Sequence, residues 1–197
     1  MSARQHLTAF QRMTVPSPER HADDFYPTPP GATIPLLRKE AFPGDVWDPC
    51  CGIGGVSQPM IEWGWRVRSS DLQERGYGPG GVDFLHQHNE RVDHVVCNPP
   101  FKLAQPFTEH ALAITTGKVA IFARLQWLES GPRKRLFAGA PLARVYVFSN
   151  RVPFARGKRV EPGEGGGRMM AFAWFVFDHS RVGAPALDWI SYEEVAA

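Results

Sequence analysis

The sequence predicts an α/β fold with a mostly parallel, doubly wound sheet of about seven strands and an antiparallel hairpin at its C-terminal end. Two observations predict it. Short apolar segments of strand length alternate with segments of helical pattern, as in successive βαβ units. A glycine-rich turn also follows the first strand and leads into a helix, which is the arrangement of a nucleotide-binding corner.

The predicted strands are short, apolar segments rich in β-branched or aromatic residues. They cover residues 45–48, 66–70, 81–85, 93–97, 119–123, 145–148 and 171–177. Helices are predicted over about 32–41, 56–63, 104–116 and 128–138, and the last two strands form the antiparallel pair. We expect residues 1–24 to be a flexible arm, 25–197 a single domain, and the tail from about Arg181 to be peripheral.

Composition excludes several classes of protein. The 197-residue chain is 43% hydrophobic, which suits one ordinary domain with a sizeable core. We expect no membrane span and no signal peptide, because the chain has no apolar run of about eighteen residues and its N-terminus has no apolar core. The three cysteines are odd in number and lack CxxC spacing, so the sequence favours a reducing cytoplasm.

Charge is strongly segregated along the chain. The segment 118–168 holds eleven lysines and arginines against three acidic residues, a net charge of +8, whereas the remainder carries −6. Such segregation favours a surface that faces a polyanion over a merely solvated one. The Gly/Arg-rich connection at about 151–170 is long for a compact domain, so we expect this basic loop to be functional or disordered.

Several residues at predicted strand ends suit a cofactor site. Strand 45–48 runs into Pro-Cys-Cys-Gly-Ile-Gly-Gly, where Gly52 and Gly54 permit close backbone approach. Asp71 follows Gly52 by nineteen positions, the spacing of an acid that accepts ribose hydroxyls, although an aspartate that caps a turn is the alternative. Asp83 and Phe84 are candidates for the amino group and the ring of an adenine.

The segment Asn98-Pro99-Pro100-Phe101 ends the apolar strand 93–97 at a rigid corner. A double proline cannot continue a central strand, since it lacks backbone donors and fixes φ. The corner presents the Asn98 amide, the Pro99 carbonyl and the Phe101 ring. A flat, polar group is the natural ligand for that combination.

Three motifs resemble those of class I S-adenosylmethionine (SAM)-dependent amino-group methyltransferases. Asn-Pro-Pro-Phe resembles their motif IV, Asp-Pro-x-x-Gly-x-Gly their motif I, and the Tyr-Pro-Thr-Pro segment at 26–29 their motif X. The resemblance covers about residues 25–178 and implies a Rossmann-like fold with SAM as cofactor. It implies cofactor contacts from Tyr26, Thr28, Asp48, Cys50, Gly52, Gly54, Asp71, Asp83, Phe84 and Asn98, and catalytic positions at Asn98, Pro99, Pro100 and Phe101.

The resemblance also implies a reaction. Asn98 Oδ1 and the Pro99 carbonyl would each accept an N–H from an exocyclic amino group, and Phe101 would stack on a base flipped out of duplex DNA. The compact layout looks like small phage- or prophage-borne DNA adenine-N6 methyltransferases, and we expect low or short-context sequence specificity. The predicted phosphate contacts are Arg124, Arg133, Lys134, Arg135, Arg156, Lys158, Arg159 and Arg168.

Several alternatives stay open at this point. The acceptor of the methyl group is alternatively RNA, a protein glutamine or cytosine N4, or the chain is a non-catalytic DNA-binding or anti-restriction module. A cysteine nucleophile is disfavoured because Cys50 and Cys51 lie in the glycine turn and Cys97 in a strand. The pair His86 and His88 lacks further metal ligands, so no metal is expected. Trp174 is either core or a neighbour of the flipped base.

Overall fold

The computed structural model describes residues 25–153 and 170–193, in which a seven-stranded mixed sheet lies between two pairs of helices. The strands are β1 (Asp45–Asp48), β2 (Arg66–Ser69), β3 (His94–Cys97), β4 (Lys118–Arg124), β5 (Leu142–Phe148), β6 (Phe172–Asp178) and β7 (Ala186–Ile190). The helices are α1 (Pro30–Lys39), α2 (Ser57–Glu62), α3 (Ala104–Ile114) and α4 (Gly131–Gly139). Short 3-10 helices cover Phe84–His86, Phe101–Leu103 and Leu125–Leu128.

The strand order is β2-β1-β3-β4-β6-β5-β7. Strands β1 to β4 are mutually parallel, β6 is antiparallel to both β4 and β5, and β7 is parallel to β5. The predicted α/β fold, mostly parallel with an antiparallel hairpin near its C-terminal end, is therefore confirmed.

Each face of the sheet has its own apolar core. On one face Leu36 of α1 and Met60 of α2 belong to the same buried cluster as Trp174. On the other, Ala111 of α3 belongs to a cluster with Phe175, and Phe137 of α4 packs against it. Because successive strand residues point to opposite faces, β6 contributes to both cores, and its first six residues are all buried. Burial on both faces explains the unbroken apolar sequence of β3, β4 and β6.

Two local predictions are wrong. The segment 81–85 is not a strand, because the Asp83 carboxylate accepts a hydrogen bond from the backbone of Leu85 (3.0 Å) and starts the 3-10 helix Phe84–His86. The tail expected to be peripheral instead supplies β7, which pairs in register with β5 over five residues from Arg144 to Phe148. The sequence predicts seven strands and the described residues form seven, but only because the unpredicted β7 takes the place of the predicted strand 81–85 in the count.

Helix α1 is fastened to the last part of the chain that the structure describes. The Trp174 indole N–H donates to the carbonyl of Ala32 (2.8 Å), and the backbone N–H of Glu193 donates to the carbonyl of Gly31 (3.2 Å). A side chain at Gly31 would collide with the Glu193 carbonyl. Arg38 also forms an ion pair with the Glu193 side chain. Strand β6 and residue 193 together fix the start of α1.

The arm predicted at 1–24 and most of the predicted basic loop lie outside the described residues. Within 25–153 and 170–193, no helix has the length and apolarity needed to cross a membrane.

Candidate active site

A cavity of about 900 Å³ opens at the carboxyl ends of the parallel strands. From β1 the chain passes to β2 on one side and then crosses back to β3 on the other side of β1, so the ends of β1 and β3 flank a topological switch point. Ligands bind at such points in open α/β sheets. Most of the sequence-predicted residues line this cavity: Tyr26, Thr28, Cys50, Gly52, Asp71, Asp83, Phe84, Asn98, Pro99, Pro100 and Phe101.

The orientation of the Asn98 side chain is fixed by the segment that precedes α1. Its amide Nδ2 donates to the backbone carbonyl of Tyr26 (3.0 Å) and to Thr28 Oγ1 (2.9 Å). A carbonyl only accepts, so the amide nitrogen must face Tyr26, and Oδ1 must point away from it. Asn98 Oδ1 is buried and has no hydrogen-bond partner among the described residues. An oriented acceptor without a partner is left at the cavity.

Phe101 belongs to a small aromatic and cationic cluster beside Asn98. Its ring stacks on Tyr26, with centroids 5.2 Å apart, and contacts Phe172 at 6.1 Å. The Arg124 guanidinium lies over the Phe101 ring at 4.1 Å from the centroid. Arg124 is not itself a lining residue of the cavity, but it is one contact away from it. The cluster suits a stacked ring next to a phosphate.

The glycine turn is packed tightly by the protein's own groups. A Cβ at Gly52 would lie 2.9 Å from the Phe25 ring, and one at Gly54 would lie 2.5 Å from the Tyr77 ring. Both glycines also have positive φ, +56° and +89°. The sequence predicts these glycines for close approach of a cofactor. The structure gives another reason for them, which is that the Phe25 and Tyr77 rings leave no room for a side chain.

Asp71 combines the two roles that the sequence left open. Its carboxylate accepts backbone hydrogen bonds from Gly52 and Gln73, each 2.9 Å long, so it caps the glycine turn. It also lines the cavity and lies 3.6 Å from Arg75 Nε. The turn-capping role is observed, and the contact with ribose hydroxyls stays a prediction.

Asp48 lies directly behind the cavity wall, at the end of β1, and is fully buried. Its Oδ2 accepts a hydrogen bond from Ser57 Oγ (2.7 Å), while its Oδ1 has no partner within the described residues. Burial raises the pKa of Asp48 to about 7, opposed by the hydrogen bond from Ser57. A buried carboxylate with an unpaired oxygen suits a cationic ligand, but Asp48 does not itself line the cavity.

Asp83 and Phe84 both line the cavity. The Asp83 carboxylate caps its 3-10 helix and also contacts His86 Nδ1 at 2.7 Å. Phe84 is only 1% exposed and packs against Trp47 and His110. Phe84 is thus mainly core, with its edge in the cavity wall, and its contact with an adenine stays a prediction.

The fold resembles solved methyltransferase-type structures at low sequence identity. No protein-family model and no curated protein matches the chain. A modification subunit of a putative type I restriction enzyme from Vibrio vulnificus aligns with a TM-score of 0.57 and 14% identity over 86% of this chain. A putative RNA methyltransferase from Pyrococcus horikoshii aligns with a TM-score of 0.53 and 16% identity, over 76% of this chain and 80% of the other. The chain spans about half (48%) of the restriction subunit.

The chain has a Rossmann-like methyltransferase fold. A further match, with a TM-score of 0.51 and 15% identity, comes from a type I restriction–modification system. The alignment covers 83% of this chain and 43% of the other. At these identities the comparison establishes the fold alone, and the reaction must be argued from the cavity.

Within this methyltransferase fold the cysteines are poorly placed as nucleophiles. Burial raises the pKa of Cys51 to about 12, and the pKa of Cys50 lies well above its usual value because of burial and the neighbouring Cys97. The reactive thiolate is therefore disfavoured at neutral pH. All three thiols are free.

The structure also places Trp174 and the histidines His86 and His88. Trp174 is fully buried, bonded to Ala32, and is not a lining residue of the cavity, so its position is that of a core residue. His88 packs edge-on against His110 at the cavity wall. The described residues contain no group of three or more side chains able to hold a metal ion.

Apart from Arg124, which lies over the Phe101 ring, the predicted phosphate contacts divide into three sets. Lys134 and Arg135 are exposed on α4. Arg133 is half-buried and donates to the carbonyls of Gln126 and Trp127, so it is partly used to hold the preceding 3-10 helix. Arg156, Lys158, Arg159 and Arg168 lie outside the described residues. The contacts of all of these residues with nucleic acid stay predictions.

Sequence reasoning missed a number of residues at the cavity or its glycine turn, and four of them bear on the argument: Phe25, Arg75, Tyr77 and His110. Three lie in irregular segments without a period, where no pattern fixes the direction of a side chain. The signal available for Phe25 and Tyr77 was the pair of glycines, since a positive-φ glycine often faces a close neighbour.

Proposed function

We propose that the protein is a SAM-dependent DNA methyltransferase that modifies the exocyclic amino group (N6) of adenine. The observation that carries the proposal is the Asn98 amide, which is oriented by Tyr26 and Thr28 and leaves Oδ1 as a buried acceptor without a partner in the described chain. The similarity to restriction–modification subunits supports the choice of DNA.

The cavity fits the cofactor at several points. Asp71 and Asp83 line the cavity and supply acceptors for ribose hydroxyls and for an adenine amino group. Asp48 lies buried behind the cavity wall, so its effect on an ammonium group would act through its charge and not through direct contact in the cavity. When bound, the cofactor supplies a sulfonium methyl group as the electrophile. The protein's part is to hold the acceptor in line with that methyl group, because no covalent enzyme intermediate is required.

Asn98 and Pro99 prepare the acceptor nitrogen. The lone pair of an aromatic amino group is delocalised into its ring, so the free nitrogen is a poor nucleophile. When Asn98 Oδ1 and the Pro99 carbonyl each accept one N–H, the nitrogen is held toward tetrahedral geometry. The same two oxygens stabilise the positive charge that develops on the nitrogen during transfer.

Duplex DNA meets this site through base flipping, because the reacting nitrogen of a stacked base cannot reach Asn98 at the wall of the cavity. Phe101 provides the stacking surface for the extruded base, and Arg124, held over the Phe101 ring, provides a cation for the adjoining phosphate. Lys134 and Arg135 lie in the first turns of α4, where cations are opposed by the helix dipole. That unfavourable placement supports a role in binding a polyanion.

The test is nucleoside mass spectrometry after incubation of unmethylated duplex DNA with SAM and the wild-type, Asn98→Ala or Asn89→Ala protein. Asn89 is exposed and outside the cavity, so it is the matched control. We expect N6-methyladenine from the wild type and Asn89→Ala, and a loss of at least a hundredfold in Asn98→Ala with SAM binding retained.

Other results would change the assignment in defined ways. Detection of N4-methylcytosine would change the target base from adenine to cytosine and leave the proposed mechanism as it is. Product in RNA or protein, and none in DNA, would overturn DNA as the acceptor. Failure of the wild-type protein to bind SAM would overturn the enzyme assignment itself.

A further inference from the structure

Arg75 is a cavity residue whose charge is only loosely paired, since its Nε lies 3.6 Å from Asp71 Oδ1. It lies in the irregular segment between β2 and the 3-10 helix Phe84–His86, and its side chain is 21% exposed. Its guanidinium carbon lies 3.7 Å from the centroid of the Phe25 ring, which holds the group in place against the cavity wall.

The acid nearest to Arg75 is already occupied. Asp71 Oδ1 lies 3.6 Å from Arg75 Nε, beyond hydrogen-bond distance, and the Asp71 carboxylate accepts the backbone N–H groups of Gly52 and Gln73. Arg75 Nε is buried and has no hydrogen-bond partner among the described residues. A buried donor without a partner on a permanently charged side chain is costly, so a ligand acceptor at this position would be stabilising.

Charge balance in the cavity identifies the kind of ligand group. Among the lining residues that the structure describes, Arg75 is the single lysine or arginine, beside the carboxylates of Asp71, Asp83 and Glu109. The methionine part of the proposed cofactor carries an α-carboxylate, which needs a cationic or multiply donating partner. A guanidinium provides both the charge and a planar set of donors.

The position of Arg75 also suits that part of the cofactor. Phe25, on which Arg75 rests, adjoins Tyr26 in the segment that orients Asn98, and a Cβ on Gly52 would touch Phe25. The cavity histidines His86, His88 and His110 instead cluster beside Asp83 and Phe84, at the end predicted for the adenine.

We infer that Arg75 binds the α-carboxylate of the methionine part of SAM. The inference rests on the cofactor of the proposed function, and it adds a binding residue that recognises the amino-acid end of that cofactor. Asp71 then has two roles. It caps the glycine turn, and its Oδ1 attracts Arg75 Nε and so keeps the guanidinium beside the carboxylate-binding position.

The experiment compares two ligands that differ by one carboxylate, SAM and decarboxylated SAM, by isothermal titration calorimetry. The variants are Arg75→Met, which keeps an apolar stem on Phe25, Arg75→Lys, which keeps a charge, and the control Arg68→Met. Arg68 lies over the Trp47 ring at the same distance, 3.7 Å, but does not line the cavity.

We expect wild-type protein to bind SAM at least tenfold more tightly than the decarboxylated ligand. Arg75→Met should weaken SAM binding at least tenfold and leave the decarboxylated ligand within about twofold, Arg75→Lys should keep part of the preference, and Arg68→Met should match the wild type. Equal weakening of both ligands in Arg75→Met, or no weakening, would overturn the inference. Lack of methylated DNA with this binding pattern intact would overturn only the proposed acceptor, and loss of both ligands in the wild type would overturn both.

Discussion

The side-chain amide of Asn98 donates a 3.0 Å hydrogen bond to the backbone carbonyl of Tyr26, which lies 72 residues earlier in the chain. The segment before α1 therefore contacts Asn98, the residue proposed to bind the methyl acceptor, in addition to the cofactor end that its sequence suggested. Since Tyr26 also stacks on Phe101, one segment controls both the hydrogen-bonding group and the aromatic surface.

Thr28→Val should slow methyl transfer without preventing cofactor binding. The variant keeps the shape of the side chain but removes one of the two acceptors that hold Asn98 Nδ2. Loss of one such hydrogen bond is worth about 1 kcal/mol, so we expect kcat to fall about five- to tenfold. Single-turnover kinetics measure the change, and Thr28→Ser should restore most of the rate. An unaltered rate in Thr28→Val would show that Tyr26 alone orients the amide.

Gly55→Ala should disturb the site through the backbone. A Cβ at Gly55 would lie 1.8 Å from the carbonyl oxygen of Thr28, so the segment that orients Asn98 must shift. We expect a loss of about 2 kcal/mol in the free energy of unfolding, as for other overpacking changes, together with lower activity. Gly139→Ala is the control, since its added methyl group meets open space. Denaturant titrations that show equal stability for the two variants would contradict this account.

Asp48→Asn should stabilise the fold at alkaline pH and weaken cofactor binding. Burial raises the pKa of Asp48 to about 7 from the usual 3.8, so between these values the folded protein binds one more proton than the unfolded chain. Stability therefore falls as pH rises through this window, by about 1.4 kcal/mol per unit. We expect the variant to be more stable than the wild type by about 2 to 4 kcal/mol at pH 8, with the difference shrinking toward pH 4.

Denaturant titrations at several pH values, with calorimetric SAM binding at pH 8, test this prediction. The exposed Asp45→Asn should change stability by less than about 1 kcal/mol, as expected for a surface ion pair. A pH-independent difference between Asp48→Asn and wild type would reject the protonated state of Asp48.

Glu40→Gln should destabilise the protein at neutral pH and much less in acid. Burial would raise the pKa of Glu40, but hydrogen bonds from Arg144, Lys118 and Tyr146 outweigh it, so the pKa is lowered from 4.5. A lowered carboxyl pKa stabilises the fold above the unfolded value, and this contribution disappears as pH falls through the folded value. Removing the buried charge takes the carboxylate from Lys118 and leaves Arg144 only its longer contact with Asp178 (3.5 Å), at a cost of about 3 kcal/mol.

Unfolding curves at pH 7 and pH 3 measure the effect of Glu40→Gln, with the exposed Glu62→Gln as the matched control. We expect the two Glu→Gln variants to differ clearly at pH 7 and to converge at pH 3. Equal destabilisation of Glu40→Gln at both pH values would show that packing, rather than charge, is what Glu40 contributes.

Replacing Lys134 and Arg135 together by alanine should flatten the salt dependence of DNA binding. Each phosphate contact that is lost should reduce the slope of log K against log salt by about 0.9. Arg66→Ala is the control because Arg66 begins β2, at the amino end of the strand and thus at the opposite edge of the sheet from Asn98. A slope that is the same in the double variant and the wild type would remove these residues from the DNA contact.

The fold was predictable where burial on two faces left a continuous apolar pattern. Strands β3, β4 and β6 are of this kind, and each prediction lies within about a residue of the observed bounds. Strand β7 could not be predicted in this way, because it is an edge strand with one buried residue and an aspartate at its centre. Its formation depends on pairing with β5, a contact that local sequence does not encode.

The candidate site was predictable where function places residues at strand ends. Asp48 ends β1, and Asp71 and Asn98 follow β2 and β3, so the parallel strands put all three at one edge of the sheet. The hydrogen bond from Asn98 to Tyr26 was not predictable, because it joins two irregular segments. Arg75 was overlooked for the same reason, since its position depends on the Phe25 ring.

The fastening of α1 by Trp174 and Glu193 has a consequence for the order of folding. The contact between Gly31 and Glu193 closes nearly the whole described chain into a loop, so it carries a large entropic cost and belongs to a late folding step. Helix α1 precedes strand β6 and residue 193 in the chain, and we expect its start to be held only after both of these have formed. Because the Tyr26–Thr28 segment leads directly into α1, the orientation of Asn98 is among the last features of the native state to form. In hydrogen exchange, α1 and β7 should open together and at lower free energy than β3 and β4.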